Sequence, residues 1–207
     1  GQKELLKRMV SINGNIDGNR MKTGELNPED WSKLTQAMGA LNNKNIRIFD
    51  DAGITTNFIW SKVKKLCDEF PGRQIMVIID YLQLITGNPV HKGNRQAEIA
   101  EISRTLKTMA RQLNVCVVAL SQLSRGVEQR QDKRPMMSDL RESGQIEQDA
   151  DVIAFLYRED YYDRETENKN TIEIIIGKQR NGPVGSVELA FIKEYGKFVN
   201  LERRFEQ

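Results

Sequence analysis

Histidine occurs once in the 207 residues, as His91, and cysteine twice, as Cys67 and Cys116, with no CxxC pairing. One imidazole and two distant thiols argue against a zinc site or a histidine-based triad. Both cysteines lie in apolar helical or strand contexts, so buried thiols in a reducing compartment are expected, not a disulfide or a metal pair. His91 falls in "TGNPVHKGN", whose glycines and proline read as a solvated loop. Charge of one sign is also missing: 31 Lys and Arg against 29 Asp and Glu leave a net charge of +2, so any nucleic-acid surface must be local. There is no apolar run of about 18 residues and no signal-peptide pattern, and the expectation is a cytoplasmic protein without a membrane partner.

What is present is organised as helices and strands in alternation. The length and an apolar content of 39% suit one large domain or two small ones, and one is expected. "GQKELLKRMV" has helical spacing without an N-cap ahead of it. "LNPEDWSKLTQAMGAL" is a helix capped by Asn27, with Pro28 at its first position and Trp31, Leu34, Met38 and Leu41 as its buried face. "NIRIFDD" reads as a short strand, and "TTNFIWSKVKKLCDEF" as a helix burying Phe58, Ile59, Val63 and Leu66. "RQAEIAEISRTLKTMARQL" repeats Ile99, Ile102, Leu106, Met109 and Leu113 at helical intervals.

Between these helices stand "RQIMVIIDYLQLI" and "VCVVALSQ", apolar at successive positions and therefore expected to be strands buried on both faces of a parallel sheet. "DVIAFLYR" is a third strand, and "TIEIIIGKQRNGPVGSVELAFIKEYGKFVNLERRF" gives two or three more, joined by Gly- and Pro-bearing turns. The pattern is that of an α/β protein with a doubly wound, mostly parallel sheet and an antiparallel extension at its C-terminal end.

Three places could carry chemistry. Asp80 and Gln122 end two apolar strands, and the carboxyl edge of such a sheet is where ligands bind. A carboxylate facing Mg²⁺ beside an amide that hydrogen-bonds a terminal phosphate suits nucleotide hydrolysis; a strand that merely meets solvent gives the same pattern. The segment from 124 to 144 mixes Arg125, Arg130, Lys133, Arg134 and Arg141 with Glu128, Asp132, Asp139 and Glu142, and holds no aromatic residue. It reads either as a solvated loop or as one that tracks a nucleic-acid backbone without stacking on bases, with Arg141 facing phosphate and Ser143 and Gly144 allowing close approach. Lys178 and Arg180, two apart at a strand end, project to one side and suit a polyphosphate, unless they are ordinary surface cations of a hairpin.

"VIIDYLQLI", "ALSQLSRGVEQRQDKRPMMSDLRESGQIEQDAD" and "IIIGKQRNGPVGSVELAF" resemble the motifs of the RecA-like motor domain of the DnaB-type bacterial replicative helicase, and the likeness spans essentially the whole chain. The resemblance implies a homo-hexameric ring that binds ATP and Mg²⁺ between neighbours and threads single-stranded DNA through its centre. It makes Asp80 the Mg²⁺-side acid, Gln122 the residue reporting the γ-phosphate, Arg141, Glu142 and Gly144 the DNA loop, and Lys178 and Arg180 the pair reaching a neighbour's nucleotide, Arg180 as arginine finger. It also implies a helicase loader, primase and clamp-loader proteins as partners, in the bacterial cytoplasm at the nucleoid.

The pattern breaks at one point: no glycine-rich loop ending in Gly-Lys-Ser/Thr occurs, and "GKQ" at 177 to 179 lacks the leading glycine and the hydroxyl. In the family the catalytic glutamate falls just before a run like "GQKELLKRMV", so the chain is expected to start after it and to lack the strand of the phosphate loop. These residues alone are then expected to be poorly stable and inactive on ATP, as the C-terminal part of a longer helicase. A RecA-like recombination or repair ATPase, and a non-catalytic module docking a loader or primase, are the alternative functions.

Overall fold

A computed structural model describes residues 1–201, with the backbone alone described at 141–143. Eight α-helices are described: α1 (Gln2–Gly14), α2 (Gly18–Thr23), α3 (Pro28–Asn42), α4 (Thr56–Glu69), α5 (Arg95–Gln112), α6 (Gly126–Gln129), α7 (Gly144–Asp149) and α8 (Glu159–Tyr162). The six described strands are β1 (Met76–Ile79), β2 (Cys116–Ala119), β3 (Val152–Tyr157), β4 (Thr171–Gln179), β5 (Gly185–Ile192) and β6 (Lys197–Asn200). β1 and β2 pair in parallel, Met76 opposite Cys116 through Ile79 opposite Ala119. The other four form a sheet in the order β3-β4-β5-β6, whose last pair is antiparallel. The class is α/β, as expected, with a parallel sheet followed in the chain by the antiparallel extension. The chain falls into two compact units: Gly1–Asp50, Leu156–Ile174 and the stretch from Ser186 onward form one, Asp51–Phe155 with Ile175–Gly185 the other.

In the first unit α3 begins as the sequence requires. The Asn27 side chain accepts from the Asp30 amide at 2.7 Å while the Asp30 carboxylate accepts from the Asn27 amide at 3.2 Å, a reciprocal capping box. The buried face differs from expectation by one step of register. Trp31 and Met38 are each 56% exposed, whereas Asp30 and Ala37 are buried. On that side α3 packs against α1, and the Arg20 guanidinium holds Asp30 at 2.9 Å. Ile16 is fully buried in the turn after α1, under a 2.6 Å bond from the Ser11 hydroxyl to its carbonyl. "NIRIFDD" forms no strand, since residues 45–51 find no ladder partner among the described residues.

The second unit is built around α5. Ile99, Ile102, Leu106 and Met109 are its buried stripe, packed with Val63 of α4 and with Ile79, Leu82, Ile85 and Val115 around β1 and β2. Burial of both strands on two faces is not what forms. Strand side chains alternate, and α4 and α5 cover only the row containing Val77 and Ile79. Met76 is 63% and Ile78 66% exposed, and the register sets Cys116 and Val118 beside them on the bare face. Cys116 is therefore an exposed free thiol and Cys67 a half-buried one. Among the described residues β2 and β3 are both terminal strands of their sheets, each with one edge that carries no ladder there. His91 is less solvated than expected, lying 3.4 Å from a Glu101 carboxylate oxygen in a short 3-10 turn.

Candidate functional site

Asp80 and Gln122 are brought to neighbouring strand ends. The ladder continues past both strands: the Leu120 amide donates to the Ile79 carbonyl and the Leu82 amide to the Leu120 carbonyl, each at 2.9 Å. Asp80 thus leaves β1 beside Leu120, two residues before Gln122, and both side chains are exposed at the carboxyl edge. The turn after Asp80 carries a residue the sequence reading passed over. Gln83 donates from Nε2 to the Ser121 hydroxyl at 3.0 Å and accepts at Oε1 from the Gln122 amide at 3.3 Å. Its only signal in the sequence is its position three residues after Asp80.

The segment after Gln122 is more ordered than its composition suggests. Arg130 makes a forked ion pair with Asp139, both bonds 2.9 Å, and a third bond of 2.7 Å to the Arg134 carbonyl. Asp139 is buried, and its carboxylate also accepts from the Met136 amide at 2.8 Å. The Asp139 carbonyl receives the Ser124 amide at 3.0 Å, which ties the loop back to the exit from β2. Leu140 packs with Ile153 and Phe155 beneath it. Arg141 and Glu142 lie on the 3-10 segment Met137–Ser143, and their side chains are outside the described residues. Gly144 opens α7 with φ −51° and ψ −25°, and a Cβ added there would meet none of the described residues within 4 Å.

Lys178 and Arg180 project to one side, as alternation requires, and both reach the carbonyl end of α7. Lys178 Nζ donates to the Glu147 carbonyl at 2.5 Å and Arg180 to the Gln148 carbonyl at 2.8 Å. Cations suit that end of a helix. Arg180 also stands 3.4 Å from Asp151, which binds Lys107 of α5. The hydrogen bond from Lys107 holds the Asp151 carboxyl below its ordinary range, against the desolvation it experiences, with the charges of Lys107, Arg180 and Lys178 adding to the effect. α7 is itself pinned to α5, Ser103 donating to Asp149 at 2.8 Å and Arg104 to Gln145 at 3.2 Å. Gly177, just before the pair, is needed for packing, because a Cβ there would stand 2.7 Å from the Phe155 ring.

Among the described residues no three His, Cys, Asp or Glu side chains come together as a metal cluster. An exposed carboxylate such as Asp80 still fits Mg²⁺, which keeps several waters and takes one or two carboxylates together with phosphate oxygens.

A parallel strand pair with an acid and an amide at its carboxyl edge is the arrangement by which open α/β domains bind ligands. A solved structure of an ATPase domain superposes with a TM-score of 0.94 at 57% identity, covering 98% of this chain and 72% of that one. The chain belongs to the DnaB-like helicase C-terminal domain family, whose model matches residues 1–200. It is 63% identical over 206 residues to the replicative DNA helicase DnaC of Bacillus subtilis, covering 100% of this chain and 45% of that protein. A solved DnaB-like replicative helicase, described with its interactions with primase, also gives a TM-score of 0.94 at 57% identity, over 98% of this chain and 48% of that one. The chain thus spans about half the length of the curated relatives it matches.

Proposed function

We propose that this chain is the C-terminal motor portion of an ATP-driven replicative DNA helicase, working as a ring of six on single-stranded DNA. The observation that carries the reading is the 63% identity to a replicative helicase along the whole chain. The juxtaposition of Asp80 with Gln122 and of Lys178 with Arg180 supplies the chemistry.

Asp80 would hold Mg²⁺, which neutralises charge on the nucleotide's phosphates. Gln122 offers an amide that can both donate to a γ-phosphate oxygen and accept from the loop that follows it. Lys178 and Arg180 would act on a neighbouring subunit's nucleotide, where an arginine finger is worth roughly 10³ to 10⁵ in rate. To do so Arg180 must leave both the Gln148 carbonyl and Asp151, and the side chains of the ion pair are 49% and 59% exposed. Such an exposed ion pair holds with about 0 to 1 kcal/mol and the hydrogen bond adds about 1 to 2, a modest cost of release. Arg141, Glu142 and Gly144 would grip the DNA backbone without reading sequence. The phosphate cradle and the water-activating glutamate would come from a part of the protein outside this sequence. Primase, a loader and clamp-loader proteins are the proposed partners, in the cytoplasm at the nucleoid. Among the described residues no helix is long and apolar enough to cross a membrane.

The test is the steady-state ATPase rate of this chain beside a version extended upstream by about one domain's length, each with and without single-stranded DNA. Hydrolysis by the longer chain only, stimulated by DNA, is the expected result. A longer chain that is folded, binds DNA and still fails to hydrolyse ATP would refute the motor reading.

A further inference from the structure

Among the described residues Gln83 bridges the exits of the two parallel strands through both ends of its amide. Nε2 is fixed by the Ser121 hydroxyl and Oε1 by the Gln122 amide, at 3.0 and 3.3 Å. Its platform is rigid. Leu82, the preceding residue, is 3% exposed in the core, and its amide is bonded to the Leu120 carbonyl at 2.9 Å. Gln83's own carbonyl accepts from Arg95 at 2.5 Å, and Arg95 is in turn held by Glu98 at 2.6 Å. Gln83, Gln122, Ser124 and Asp139 line one small cavity, so the amide sits between the Asp80 turn and the first residues of the loop.

From this geometry we infer that Gln83 is a positioning residue, fixing the Gln122 backbone relative to Asp80 so that Gln122 meets the terminal phosphate and passes its state to the loop. The inference rests on the reading of Gln122 given above. An exposed glutamine has several rotamers, and its reach is set by where its backbone is held. Gln83 is built to hold it: the bond to Gln122 uses the backbone N–H and leaves that side chain free for a ligand.

The test is a double-mutant cycle in the full-length helicase, read as DNA-stimulated kcat and KM for ATP, with Gln83→Leu, Gln83→Glu, Gln122→Ala and the Gln83→Leu/Gln122→Ala pair. Glutamate at 83 can still accept from both the Gln122 amide and the Ser121 hydroxyl, whereas leucine can do neither. Gln83→Leu is expected to lower kcat about tenfold with KM unchanged, since small misplacements near reacting groups cost that much or more. Gln83→Glu should stay within about threefold of the parent, and Gln83→Leu should cost nothing further once Gln122 is alanine. Multiplying effects in the pair, or a Gln83→Glu loss as deep as that of leucine, would overturn the inference. Should Gln83→Leu not fold, Ser121→Ala takes its place in the cycle, with the same non-additivity expected and the same overturning result. If Gln122→Ala alone leaves kcat unchanged, the reading of Gln122 fails; if it lowers kcat and Gln83→Leu does not, only the role of Gln83 fails.

Discussion

Replacing Arg130 by methionine should loosen the internal cross-link of the loop at a cost of about 2 to 3 kcal/mol. The side chain makes two charge-assisted bonds of 2.9 Å to Asp139 and one of 2.7 Å to the Arg134 carbonyl. Asp139 is only 6% exposed at its side chain, so removing its partner leaves a carboxylate that water cannot reach. Stripping one partner from a buried pair typically costs about 3 to 5 kcal/mol. Two features lower the figure here: Arg130 is 29% exposed, and the carboxylate keeps the Met136 amide at 2.8 Å. With a urea m-value of about 2 kcal/mol/M the midpoint should fall by roughly 1 to 1.5 M. The companion variant, Arg130→Met with Asp139→Leu, should recover at least half of the loss, because replacing both partners by apolar groups leaves no charge stranded. Urea unfolding followed by circular dichroism measures both. A midpoint shift below about 0.25 M for Arg130→Met would show that the pair behaves as an ordinary surface ion pair. The latch would then not be what orders the loop.

Asp160 makes stability depend on acid in the other unit. Its carboxyl is lowered to about 2 by the hydrogen bond from Lys193, outweighing the desolvation that opposes it, with Arg158 and the Asn170 amide assisting. A depressed folded-state value means the contribution is fully present above the unfolded value of 3.8 and disappears as pH falls through about 2. Asp160→Asn should therefore cost about 1 to 2 kcal/mol at pH 7, the lower end reflecting screening at the half-exposed Lys193, and only about 0.4 kcal/mol at pH 2. A melting difference that stays constant from pH 7 to pH 2 would remove the carboxylate's charge as the cause. For the loop, Arg141→Ala in the full-length protein should weaken single-stranded DNA binding for all sequences alike and make the slope of log K against log salt shallower by about 0.7. An unchanged slope would take Arg141 off the phosphate backbone.

By itself the amino-acid order determined what is local or periodic. The Asn27 cap, the α5 stripe of Ile99, Ile102, Leu106 and Met109, and the two strands that lead to Asp80 and Gln122 were legible, though the second stops at Ala119, because caps and repeats are written in neighbouring residues. So was the projection of Lys178 and Arg180 to one side, a consequence of strand alternation. Tertiary structure decided the remainder. Trp31 and Met38 face outward because α1 packs on the other side of α3, where Arg20, ten residues before Asp30, also pairs with it. β1 and β2 read as buried on both faces because their composition is apolar throughout, yet burial depends on which helices are there to cover them, and α4 and α5 cover one face. Gln83 met Ser121 and Arg130 met Asp139 only when the chain folded, since nothing in the identity of a glutamine or an arginine specifies its partner. Residue identity sets what a side chain can bond to, and the packing of distant segments sets what it finds within reach.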